Sequence, residues 1–62
     1  MFVEQDVFLI EDEEYKLRAI NQHNYCWMEP VLHRSKGHII SGGLNRIVHY
    51  DELDKYHYIE WR

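Results

Sequence analysis

Cysteine, proline and glycine are scarce in this 62-residue chain: one Cys, one Pro and three Gly. A single thiol, Cys26, excludes an internal disulfide and suits a reducing compartment, so the expected location is the cytoplasm. No apolar run approaches the ~18 residues of a membrane span. The amino-terminal residues Met1 to Asp6 also lack the basic start and apolar block of a secretory signal. Linkers, repeats and low-complexity runs are missing too, which leaves one small domain over residues 1–62. A chain this short buries only ~60% of the surface its unfolded form exposes, so stability is thin. At ~1.5 kcal/mol of ordering cost per residue, such folds often lean on a metal or a partner.

Charge is unevenly placed. Residues 1–14 carry Glu4, Asp6, Glu11, Asp12, Glu13 and Glu14 without a base, and residues 30–50 carry Arg34, Lys36 and Arg46 without an acid, within a net charge of −4. Two readings follow. Either the regions attract each other across the fold through individually weak ion pairs, or they form a dipolar surface that orients a charged partner.

What the sequence does have is short apolar segments with turn residues between them. The first apolar stretch is Phe2 to Ile10, and its near-continuous hydrophobicity from Val7 reads as a strand covered on both faces. It ends in an acidic turn, after which Tyr15-Lys16-Leu17-Arg18-Ala19 alternates strictly and reads as a return strand with Tyr15, Leu17 and Ala19 on one face. A helix over 12–21 is the rival, given the helix formers there and the Glu14 to Arg18 spacing, but period two fits better. Tyr25 to Met28 reads as a third strand stopped by Pro30, with Val31 and Leu32 extending along an edge. His33 to His38 reads as an exposed basic loop. Ile39-Ile40 opens a short strand, Gly42-Gly43 signals a hairpin, and Leu44 to Tyr50 returns. Asp51 is placed to cap one helical turn near 51–55, before a last strand from Tyr56 to Trp61.

These elements predict a mostly β fold: a small five- or six-stranded barrel or curled antiparallel sheet. Pattern and length resemble SH3-like barrels, including the helical turn before the final strand. The acidic-aromatic motif and adjacent tryptophan pair of SH3 domains are absent, so no binding residues carry over.

Catalysis finds no constellation. Cys26 lies in no nucleophile elbow, Glu11 to Glu14 are adjacent at a turn rather than set across a cleft, and Gly42-Gly43 lacks the lysine and helix of a phosphate loop. The chain therefore reads as non-enzymatic, with no cofactor. His23, Cys26, His33 and His38, at gaps of two, six and four residues, have zinc-ligand chemistry, although the middle gap is short for a finger. They define a zinc-stabilised alternative, against a core Cys26 and surface histidines. Five histidines also permit a pH response.

Binding remains. Nine aromatics exceed what a small barrel hides, and Tyr56, Tyr58 and Trp61 alternate along one strand, so some must face outward. The leading expectation is a protein-binding inhibitor or accessory subunit that uses Tyr56, Tyr58 and Trp61, with Arg34 and Lys36 as charged rim. The alternative partner is nucleic acid, met by His33, Arg34, Lys36, His38 and Arg46 with Trp27 stacking on a base. The acidic balance opposes it. An edge strand near Pro30 or the carboxy terminus could also pair with a second copy.

Overall fold

The structure, a computed structural model, describes all residues from Met1 to Arg62. Six antiparallel strands form one sheet: β1 (Val7–Ile10), β2 (Glu13–Ile20), β3 (Tyr25–Ser35), β4 (His38–Ser41), β5 (Arg46–His49) and β6 (His57–Ile59). Their order is β4-β3-β2-β1-β6, with β5 also against β3, and the sheet does not close. Its only helical segment is a 3₁₀ turn, Tyr50–Lys55.

β2 is a strand, but a bulge between Leu17 and Ala19 breaks its alternation and turns Ala19 to the face opposite Tyr15 and Leu17; β1 meets it through Glu11 and Asp12, both at positive φ (51° and 68°). A two-residue turn needs that backbone to match the twist of the strands it joins. The first strand begins at Val7, where the near-continuous apolar run begins, and not earlier in the stretch from Phe2. Phe2 instead gives its N–H to the Tyr50 hydroxyl (2.7 Å) and lays its ring edge-on to Phe8, so the leading residues are a tether and not a ladder.

Pro30 does not stop the third strand. β3 runs through it for 11 residues because the proline lies where the strand changes partners. Pairing with β5 ends at Met28, pairing with β2 ends at Pro30, and pairing with β4 begins at Val31. Gly42 N–H donates to Pro30 C=O (3.0 Å), which puts β4 and β5 one after the other along the same edge of β3. The missing proline N–H thus falls opposite residues 42–45, where no ladder bond is made. For the same reason Gly42-Gly43 is a detour within one edge and not a hairpin turn, and Val31-Leu32 lie inside a paired strand. His33 to His38 is correspondingly no loop: it is the tip of the β3–β4 hairpin, turning at Lys36-Gly37 with Gly37 at φ 76°.

The 3₁₀ turn is capped by His49 rather than Asp51. Asp51 N–H donates to His49 Nδ1, and Glu52 accepts from His49 N–H, a reciprocal capping box. This turn drops Leu53 into a core of Phe8, Ile10, Leu17, Cys26, Met28 and Val48. Val7 is equally buried but lies on the opposite face of β1. Its neighbours there include Glu14, directly across from Leu9, and Arg34 reaches Glu14 from the β3–β4 hairpin. That hairpin therefore leans over the outer face of β1 and β2. Its tip meets the carboxy-terminal segment at one point, Gly37 N–H to Trp61 C=O (3.4 Å).

Candidate functional site

Of the aromatic residues singled out from the last strand, Tyr58 and Trp61 line one open notch of about 200 Å³ with Glu60 and Arg62, and Tyr56 lies apart from it. Tyr56 is half-buried against the core. Tyr58, the exposed one, stacks on Phe2 (5.9 Å between centroids) and meets Phe8 edge-on (5.7 Å). Its hydroxyl points at Asp6 Oδ1 at 3.5 Å. Trp61 donates its Nε1–H to Gln5 C=O (3.0 Å) under the Arg62 guanidinium. Around them, buried Asp6 accepts from Val3 N–H (2.9 Å) and faces Arg62 at 3.4 Å. These rings and charges hold residues 2–6 to residues 58–62.

The basic residues are divided as well. Arg34 makes a two-pronged bond with Glu14, at 2.8 and 3.1 Å. That bond holds the Glu14 carboxyl below the usual carboxylate range and raises the Arg34 guanidinium. Arg46 is paired with Glu11. The segregated charges of the sequence thus meet across the fold. Only Lys36, His33 and His38 stay exposed together, on the hairpin. The histidines share its outward face, because pairs His33↔Ile40 and Ser35↔His38 are two residues apart in the ladder. Trp27 lies elsewhere, on β3 beside β5.

The zinc quartet does not converge. Cys26 is buried in the core, where desolvation raises its thiol pKa. His23 sits in the β2–β3 turn and His33 and His38 on the hairpin, and no three His, Cys, Asp or Glu side chains are placed to hold a metal ion together.

One surface that sequence reasoning did not assemble is the outer face of β2, β3 and β5. Register places Ala19, Trp27 and Ile47 side by side across the three strands, with Tyr25 and His49 as the adjacent row. Tyr25 meets the His49 ring edge-on at 5.0 Å. Ile47 is 56% and Tyr25 46% exposed, so this is an uncovered apolar corner rather than a second core. Arg18 crosses β3 to bond Asn45 (2.8 Å). Beyond it Glu29 accepts from Ser41 (2.7 Å) and faces Lys16 at 3.6 Å, and these contacts, the Ser41 bond foremost, hold its carboxyl below the usual range. The corner is therefore apolar in the middle and polar along one side.

No protein-family model, curated protein or solved structure matches the chain. The surface has to be interpreted from its own chemistry.

Concavities are shallow. The largest, an open cleft of about 470 Å³, lies between Glu13-Glu14 and Pro30 to Arg34, and the Arg34–Glu14 pair forms part of its wall. A notch of about 300 Å³ between Phe2, Ile20 and Tyr50 is mostly apolar.

Proposed function

We propose that the chain is a small non-enzymatic protein-binding module, an inhibitor or accessory subunit, which docks its partner on the outer face of β2, β3 and β5. The observation that carries this reading is two adjacent rows across paired strands, Trp27 with Ile47 and Tyr25 with His49, in which Ile47 and Tyr25 are exposed. Aromatic side chains fixed by a sheet present large apolar area at small entropic cost, and a few such residues dominate the energy of most interfaces. Arg18 and the Lys16–Glu29 pair would supply the polar rim. Support for the finer architectural reading, an SH3-like barrel opened along one side, comes from the meander order with a 3₁₀ turn ahead of the last strand.

A nucleic-acid partner is less well supported. Arg34 and Arg46 are engaged by Glu14 and Glu11, leaving few cations to displace counterions.

The test is affinity capture from native lysate, with and without nuclease, comparing the wild-type chain with Ile47→Glu. The substitution is exposed, so the thermal transition should hold. A captured protein should be lost with the variant and survive nuclease. Capture unchanged by Ile47→Glu would refute the assignment, and capture abolished by nuclease would move the reading to nucleic acid.

A further inference from the structure

Strand β4 is hydrogen-bonded on one side only, being an end member of the sheet order. The geometry of its hairpin says which groups are open. Ser35 and His38 close a two-residue turn, so they are the doubly bonded pair. The next pair, Arg34 with Ile39, is then a non-bonded one, which directs the Ile39 N–H and C=O away from β3 toward the free edge.

Natural edge strands usually carry a lysine, a proline or an inward charge that discourages further pairing. The four residues of β4, His-Ile-Ile-Ser, have none of these. Beside this edge the outward face of the hairpin is apolar and basic. Leu32 is 69% and Ile40 48% exposed, and His33, His38 and Lys36 are exposed around them. Of the carboxylates beside the hairpin, Glu14 is taken by Arg34 and Glu29 by Ser41 and Lys16, while Glu13 lines the cleft next to Leu32 and His33.

From this we infer that the β4 edge receives an extended acidic segment of a partner protein, added as a further antiparallel strand. The inference rests on the reading of the chain as a protein-binding module. In such an addition the main chain supplies affinity, while alternate side chains supply specificity. One residue of the incoming strand would accept from the Ile39 N–H with its C=O and donate its own N–H to the Ile39 C=O. Alternate side chains on the outward side would be an apolar group against Leu32 and Ile40 and carboxylates against His38 and Lys36. Imidazole donates to a carboxylate in its neutral and charged forms alike, so the match does not require a protonated histidine. A basic segment would find Glu14 and Glu29 already engaged, by Arg34 and by Lys16 and Ser41.

The probe is a blocked eight-residue peptide alternating glutamate and valine, with its lysine-valine counterpart as control, titrated into the ¹⁵N-labelled full chain. The glutamate peptide should shift the β4 amides and slow exchange of the Ile39 N–H, and the lysine peptide should bind about tenfold more weakly or worse. Substituting Lys36→Glu and His38→Glu, both exposed, should reverse that preference. No β4 shift at about 1 mM glutamate peptide, or equal binding of the lysine peptide, overturns the inference. Shifts of β4 that follow protein concentration alone would assign the edge to a second copy, which also overturns it. These outcomes are independent of Ile47→Glu, which lies on β5: a capture that survives Ile47→Glu while β4 still binds the glutamate peptide sinks only the outer-face reading.

Discussion

Replacing Leu53 by alanine should remove a large share of this protein's stability. Leu53 is the one fully buried side chain of the 3₁₀ turn and completes the seven-residue core cluster. A buried Leu→Ala change costs about 2–5 kcal/mol, from lost transfer energy plus the cavity left behind. The turn cannot easily collapse into that cavity, because its start is fixed by the His49–Glu52 box and its end by Tyr56 N–H to Leu53 C=O (3.2 Å). A middle value of about 3 kcal/mol is therefore expected. The whole stability of a domain this short is about 3–9 kcal/mol. With a urea dependence near 1 kcal/mol per molar for so small a chain, the midpoint should fall by about 3 M. The assay is equilibrium urea unfolding followed by the fluorescence of Trp27 and Trp61. Leu44→Ala is the control, since Leu44 is 91% exposed and should change stability by no more than about 0.5 kcal/mol. A loss below about 1 kcal/mol for Leu53→Ala, or one no larger than the control's, would refute the view that the turn closes the core.

Further outcomes follow from the ion pairs, the turn and the thiol. Glu14 and Glu29 are held below the ordinary carboxylate value of 4.5, chiefly by hydrogen bonds from Arg34 and Ser41. A depressed pKa contributes stability above the unfolded value that is lost as pH falls through the folded one. The thermal midpoint should thus drop below about pH 4.5, and the Glu14→Gln, Glu29→Gln double variant should flatten that drop; an identical slope in the variant would count against it. Asp12→Gly should stabilise by about 0.5–1 kcal/mol in chemical unfolding, because glycine accepts the φ of 68° without strain; a net loss would mean that the Asp12 side chain matters more than its backbone. Cys26, buried and with its thiol pKa raised, should react with an aromatic disulfide reagent only as fast as the chain opens, and rapid labelling of the native protein would contradict its place in the core.

The legible parts of the fold were those where neighbouring residues decide the outcome. Strict alternation from Tyr15 to Ala19 identified β2 over a helix, and the polar run after Tyr50 marked the helical turn. Pro30 and Gly42-Gly43 misled because their usual meaning is local. Here the proline lies opposite the detour at 42–45, a pairing between residues distant in sequence. The candidate surface was hidden for a related reason. In Tyr25-Cys26-Trp27-Met28 both sets of alternate side chains are apolar, so the sequence offers no means of saying which set faces out. Only the partners of β3 decide that Cys26 and Met28 go inward and that Trp27 joins Ala19 and Ile47 outside. The charge segregation was visible, but whether Arg34 and Arg46 face a partner or their own chain depended on the bend of the β3–β4 hairpin and on where β5 begins.

The pairing of β6 with β1 has a kinetic consequence. It joins residues from opposite ends of the sequence, Val7 with Ile59 and Leu9 with His57, whereas β2 and β3 are joined by a turn of a few residues. Bringing distant segments together carries a larger loop-closure cost, so the middle of the meander should assemble early and the last strand should arrive late. In the finished protein that same short strand should open most readily, with Tyr58 and Ile59 amides exchanging well before those of Leu17 and Met28.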